Sequence, residues 1–317
     1  MRNAQNNAAM AVGHGIAVGR YTGVMHPSVR LVAIDMDGTL LPGFGQALTP
    51  RTVAALRAAQ EAGITVAIAT GRRTDFATPL LHGLKLRADM PLIASNGAVL
   101  RTLGGDTLDR CLLPAEVALG LCGLLRPFGA LVFTFDRPGG HEVVLEDLET
   151  AREEIPQWVE ANRDAIEVVK PLENALGHVE DPIQGMAAGR LGPMREAVKA
   201  LKASSWAGSC EYAQTIYPER DMSILDLLPR GVSKGAALKR LAARLNVSRE
   251  ETMAIGDNWN DVGMLEWAGQ GVLMGNAAED LRSLAETRGW RLAPLNVEDG
   301  VAVILEEAMA RRGAVKI

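Results

Sequence analysis

The chain has 317 residues, 48% of them hydrophobic and 22% charged, with a formal net charge of −5 and an isoelectric point near 5.7. This is the composition of a globular protein with apolar material for one large or two medium domains, and its acidity argues against a nucleic-acid partner or an anionic membrane surface. Three cysteines, Cys111, Cys122 and Cys210, stand far apart and outside any CxxC pair, which excludes a disulfide framework and a cysteine zinc site and predicts reduced thiols in a cytoplasmic protein.

In chain order, residues 1–28 form a poor signal peptide, with an apolar portion broken by Gly13, His14, Gly15 and Gly19. They are predicted to be a disordered extension. The stretch GHGIAVGRYTG within them lacks the preceding strand that a dinucleotide loop needs. No apolar run reaches the roughly 18 residues required to span a bilayer. Leu31 to Asp37 is a continuous apolar run ending in two aspartates, as expected of a strand buried on both faces of a parallel sheet. TPRTVAALRAAQEAG follows as a helix, capped by Thr49, opened by Pro50 and stopped by Gly63. ITVAIATG is a second buried strand, residues 73–86 suit a helix interrupted at Pro79, and PLIASNG is a third strand.

From about Leu100 to Ile216 the rhythm changes. Helical stretches alternate with strand pairs such as ALVFTF and HEVVL, joined by the turn-rich RPGG, which reads as an antiparallel α+β module. The alternation of strand and helix then resumes with SILDLLP, KGAALKRLAARLN, ETMAIGD, NDVGMLEWAG and QGVLMG. The predicted architecture is an α/β fold: a Rossmann-like, three-layer parallel-sheet core over residues 29–100 and 220–317, interrupted by an α+β insert over residues 101–219.

In such a sheet ligands bind beyond the carboxyl ends of the strands. Four predicted strands end in polar residues: Asp35 and Asp37, Thr70 and Gly71, Ser95 and Asn96, and Asp257. Two close carboxylates joined by a third are costly unless a cation neutralises them. The candidate ligands are hard oxygens, with no histidine or cysteine nearby in sequence, which points to Mg²⁺. Asp35 and Asp37 share a face of a continuing strand, so one carboxylate can attack while the other handles a proton. Thr70, Gly71 and Arg72 offer a hydroxyl, a backbone N–H and a guanidinium as an anion nest. Lys234 opens a helix against the dipole, which argues for a use of its charge. After Asp257, Asn260 and Asp261 give more acid and amide groups than capping alone requires.

Taken together, DMDGT, ATGR, the lysine of GVSK and GDNWND resemble, in order and separation, the haloacid-dehalogenase-like superfamily, and most closely its Cof-type phosphatases, which carry a large α+β cap of the C2 type. Ser95 to Gly97 is similar to that branch as well. The resemblance implies Mg²⁺-dependent hydrolysis of a small phosphorylated metabolite, with a sugar phosphate as the general substrate. Asp35 would be the nucleophile and Asp37 the acid and base. Asp35, Asp37 (through its carbonyl) and Asp257 would hold the metal, with Asp261 behind them. Thr70, Gly71, Lys234 and Asn260 would hold the phosphoryl oxygens. Arg72, Asn96 and His141 are candidate substrate contacts, and Asp136, Arg137 and Glu142 share the expectation for His141. Trp158, Trp206, Trp259 and Trp267 read as packing residues, with Trp259 bordering the pocket. A phosphomannomutase-like phosphomutase, a phosphoryl-receiving signalling domain and a non-catalytic binder of phosphorylated metabolites are the alternatives. A monomer or homodimer is expected.

Overall fold

The computed structural model describes residues 28–41, 43, 47–177 and 180–314. The extension expected over residues 1–28 therefore lies, except for Ser28, outside the described residues. The described strands, in chain order, are β1 (Leu31–Asp35), β2 (Thr65–Ala69), β3 (Pro91–Ala94), β4 (Val99–Thr102), β5 (Thr107–Arg110), β6 (Ala130–Thr134), β7 (Val143–Leu145), β8 (Ile166–Val168), β9 (Gln184–Arg190), β10 (Cys210–Tyr217), β11 (Met222–Pro229), β12 (Thr252–Gly256), β13 (Gln270–Leu273) and β14 (Arg291–Leu292).

They form two sheets. The first runs β14-β13-β12-β1-β2-β3-β4-β5 and is parallel from β14 to β3. Its central strand β1 is buried at every residue, and successive side chains leave on opposite faces. Val32 and Ile34 join Val66 and Ile68 in one apolar layer, while Leu31 and Ala33 join Ala67 and Ala69 in the other. Helices cover both layers. Pro50–Glu61 is capped by Thr49, whose Oγ1 accepts from Thr52 N at 3.1 Å, and it contributes Ala55, Leu56 and Ala59 to the first layer. Lys234–Arg244 is capped by Ser233 and contributes Ala237, Leu238, Leu241 and Ala242 to the second.

The second sheet runs β10-β11-β9-β6-β7-β8 and is antiparallel except between β7 and β8. It too packs helices on both faces, with separate apolar clusters around Phe133 and Leu225 and around Val132 and Met186. No described helix is long and apolar enough to cross a membrane.

Several expectations need correction. Residues 101–110 were read as part of the insert, but β4 and β5 extend the first sheet as antiparallel strands, because Ser95, Asn96 and Gly97 all take positive φ and turn the chain back along β3. That turn also ends the third strand at Ala94, short of the expected Gly97. SILDLLP was read as a core strand, but β11 lies in the second sheet between β9 and β10. Its burial alternates residue by residue from Met222 to Leu227, the mark of a strand with one packed face. The helix after β2 runs Thr74–His82 and is not interrupted at Pro79, although it ends within one turn of it.

Candidate active site

Because β1 lies between β12 and β2, its carboxyl end adjoins theirs. Asp35 ends β1, Thr70 follows β2, Asn96 follows β3 and Asp257 follows β12. Asp35, Asp257 and Asp261 each bring one carboxylate oxygen within 4.8 Å of the others. Lys234, fully buried at the start of its helix, donates from Nζ to Asp35 Oδ1 at 2.5 Å and to Asp261 Oδ1 at 2.7 Å. The other Asp261 oxygen accepts from the backbone N–H groups of Asp257 and Asn258, at 3.0 and 3.1 Å. Asp261 is thus spoken for on both oxygens, and its work is to hold the Asp257 loop and Lys234. Asp257 Oδ1 accepts from Thr39 Oγ1 at 2.7 Å.

Gly38 makes this approach possible. Its φ is +86°, and a Cβ there would stand 2.4 Å from Asp257 Oδ2. Its carbonyl accepts from the side-chain amides of Asn276 and Asn296, each at 2.8 Å. Sequence reading missed both asparagines. Asn276 carried a signal, since it follows β13 as the other polar residues follow their strands. Asn296 carried none, because only the folded loop brings it to Gly38.

The electrostatics are those of a site built around a cation. Burial pushes the Asp35 carboxyl well above its ordinary value, Asp261 adds to this, and Lys234 opposes it. Burial likewise raises Asp257, with the Thr39 hydrogen bond pulling the other way. Burial works against the Lys234 ammonium, but Asp261 and Asp35 outweigh it and hold its pKa above the usual lysine value. One ammonium cannot neutralise two buried carboxylates and a half-buried third. The remaining charge and the all-oxygen donor set, with the Asp257 carboxylate seated against Gly38, fit a small hard divalent ion.

Asp37 does not join this cluster. Its carboxylate is gripped on both oxygens by Arg72, from Nε at 2.7 Å and Nη2 at 2.5 Å, and is about half exposed. Arg72, expected as a substrate contact, is therefore the partner of Asp37. Its guanidinium carbon also lies 4.9 Å from the Phe76 ring centroid. Thr70 is buried, and its Oγ1 accepts from Arg72 N at 3.0 Å. Asn260 donates to Asn96 Oδ1 at 3.4 Å, and Asn96 packs beside Gly71, so these three residues meet.

The insert is tied to the first sheet by ion pairs. Buried Arg101 donates to both oxygens of buried Asp136 at 3.0 Å. Arg73 pairs with Glu142 and donates to Asn162 at 3.2 Å. Glu142 is pushed up to about 7 by burial, against the pull of Arg73. Gly139 N donates to Asp75 at 2.6 Å. His141 is exposed, and its backbone carbonyl accepts from Arg137 at 3.2 Å; its side chain is not brought to the carboxylate cluster. Trp259 is 54% exposed and does not line the cavity described next. Trp158, read as packing, does. That cavity holds about 970 Å³ between the two sheets, and Gly71, Arg72 and Arg73 are among the residues that line it.

The chain matches the family described as haloacid dehalogenase-like hydrolase over residues 32–305. It is 30% identical to phosphatase YwpJ of Bacillus subtilis (strain 168), over 89% of this chain and 100% of that protein. It is 30% identical to an HMP-PP phosphatase of Escherichia coli, over 80% of this chain and 87% of that one. Its fold superposes on a solved haloacid dehalogenase-like hydrolase from B. subtilis with a TM-score of 0.71 and 27% identity, covering 88% of this chain and 99% of the other.

Proposed function

Because the chain belongs to the haloacid dehalogenase-like hydrolase family and is a phosphatase as its relatives are, we propose that it hydrolyses phosphomonoesters of small metabolites through a phosphoaspartyl intermediate on Asp35, with Mg²⁺ as cofactor. One observation carries this reading: Asp35, Asp257 and Asp261 converge with Lys234 at the carboxyl edge of β1.

Asp35 and Asp257 would hold the metal together with the Asp37 carbonyl, while Asp261 orients Asp257 and Lys234 from behind. Bound there, Mg²⁺ supplies positive charge to the phosphoryl oxygens and lets a carboxylate approach an anionic group. Asp35 attacks phosphorus, the bond to the leaving oxygen breaks, and Asp37 gives that oxygen a proton. Asp37 then takes a proton from water, whose oxygen attacks phosphorus and frees Asp35. Lys234, Thr70, the Gly71 N–H and Asn260 hold the phosphoryl oxygens. Arg72 holds Asp37 beforehand and releases it to the leaving oxygen. The half-exposed position of Asp37 makes that exchange inexpensive.

The magnitudes require all of these parts. Hydrolysis of phosphate monoesters calls for accelerations up to about 10²¹, of which acid catalysis supplies roughly 10² to 10⁴. Positioning and charge stabilisation carry the remainder. The second sheet with its helices acts as the cap that excludes water and chooses the leaving group. A panel of metabolite phosphates assayed for phosphate release with and without Mg²⁺, with Asp35→Asn protein as blank, tests the reading. Release that ignores Mg²⁺ and survives Asp35→Asn would refute it.

A further inference from the structure

The outer edge of the second sheet takes no part in the chemistry above. β10 forms that edge, and β11 is its one strand neighbour among the described residues. The two pair residue for residue, from Cys210 opposite Pro229 to Tyr217 opposite Met222, with no bulge. At eight residues β10 is longer than the other outer strands described, β8, β5 and β14. Its sequence, CEYAQTIY, holds one charge and neither proline nor lysine. Edge strands of monomeric proteins are commonly short, bulged or guarded by those residues, because their free N–H and C=O groups can pair with another chain.

The ladder fixes which backbone groups are free. Ser223 Oγ on β11 donates to the Thr215 carbonyl at 3.1 Å, so Thr215 turns its backbone polar groups toward β11. Alternate residues turn theirs the other way, which leaves the N–H and C=O groups of Tyr212, Gln214 and Ile216 pointing outward. The side chains of these three share one face with Leu227, Leu225 and Ser223, their partners on β11. Helix Leu191–Ala203 packs Met194, Ala197 and Leu201 into one cluster with Leu225 and Leu227. It leaves the outer row open: Tyr212 is 37% and Ile216 52% exposed.

We propose that β10 is the interface of a homodimer, in which the edge strands of two copies pair antiparallel about a two-fold axis at Gln214. The strand is complementary to itself in this register. Tyr212 of each copy faces Ile216 of the other, so both exposed apolar side chains gain an apolar neighbour. Glu211, the one charge of the strand, faces Tyr217 of the other copy. The guanidinium carbon of Arg220 lies 5.9 Å from that ring centroid, and its side chain is half exposed, so each acid approaches a base across the interface. The paired strands bring no like charges opposite each other. Pro218, which comes opposite Cys210, lacks an N–H and ends the ladder. The second sheet then runs unbroken through both copies.

Sedimentation velocity of the full chain tests this. The parent is expected to sediment as a dimer at ~10 µM. Gln214→Lys and Gln214→Glu each set two like charges against each other on the axis, and each should weaken association ~10-fold or more. The Gln214 N–H points outward, so neither change disturbs the pairing of β10 with β11. Mixing the two variants should restore a dimer with one copy of each, which also shows that both are folded. A parent that stays monomeric up to ~100 µM would overturn the second copy as occupant of this edge, in favour of an extended peptide of another protein. A dimer indifferent to both substitutions would overturn β10 as its interface. Weakened variants that fail to recombine would overturn the axis at Gln214.

Discussion

Lys234 Nζ stands 2.5 Å from Asp35 Oδ1 across 199 residues of chain, and both side chains are buried. This contact joins the start of a helix to the end of the central strand, and it offsets part of a dense negative charge. Lys234→Met leaves Asp35 and Asp261 uncompensated, so urea unfolding should show a loss of about 3–5 kcal/mol. Because a divalent ion can replace part of the missing charge, added Mg²⁺ should recover some of that stability. Turnover should remain depressed by about 10³-fold, since a phosphoryl-oxygen contact is lost. A variant as stable as the parent without Mg²⁺ would show that the lysine does not balance these acids.

Gly38 lies directly against the Asp257 carboxylate. Gly38→Ala forces a Cβ into a space 2.4 Å from Asp257 Oδ2, at a φ of +86°. The backbone conformation alone costs about 1–2 kcal/mol, and the displaced carboxylate weakens the metal site. The Mg²⁺ concentration giving half-maximal activity should rise ~10- to 100-fold. A Mg²⁺ titration of phosphate release checks this; an unchanged midpoint would place the metal away from Asp257.

The Arg72–Asp37 fork predicts a functional effect with little effect on stability. Arg72→Lys keeps the charge but removes the two-point grip. Since the carboxylate is half exposed, stability should change by less than ~1 kcal/mol. Phosphate release should fall ~10-fold, with the largest loss for alcohols that leave poorly, because those depend most on the proton from Asp37. Equal losses for good and poor leaving groups would remove Asp37 from the acid role.

Much of this site was legible in the sequence for a simple reason. In a parallel sheet, residues that end different strands meet at one edge, so Asp35, Thr70, Asn96 and Asp257 could be grouped without coordinates. Lys234 announced itself by sitting at the wrong end of a helix dipole. What was hidden depended on loop conformation or on which strand neighbours which. Asn296 reaches Gly38 only through a loop 258 residues further along the chain. Arg72 turns back to Asp37, though its position beside Thr70 and Gly71 suggested a ligand for an anion. β4 and β5 look like insert because Ser95 to Gly97 was read as the end of a strand, although the Asn96-Gly97 pair, which readily takes left-handed φ, marks the turn that returns the chain to the first sheet. β11 was misassigned because an apolar run fits either a buried parallel strand or a half-buried antiparallel one. The folded strand alternates in burial, but the sequence does not show it, because polar Ser223 points inward and apolar Ile224 to the other face.

The burial of Glu142 beside Arg73 should make stability depend on pH in a definite direction. Glu142 is raised from 4.5 to about 7, chiefly by burial, so the folded chain keeps a proton that the unfolded chain has lost. Its contribution is therefore full below about pH 4.5 and is lost as pH rises to about 7, by up to ~3 kcal/mol. Glu142→Gln cannot titrate. The stability difference between parent and variant, measured by chemical denaturation from pH 5 to 8, should shift against the parent as pH rises and level off above 7. A difference that is flat with pH would show that Glu142 is ionised throughout.

The central claim is that Asp35 takes the phosphoryl group. The direct measurement is to mix the protein with Mg²⁺ and a hydrolysed metabolite phosphate, quench in acid, reduce with borohydride and map the modified residue by mass spectrometry. An aspartyl phosphate reduced in this way leaves homoserine, which should appear at Asp35 and vanish in Asp35→Asn along with Mg²⁺-dependent phosphate release. Modification at another residue, or undiminished release by the variant, would contradict the account.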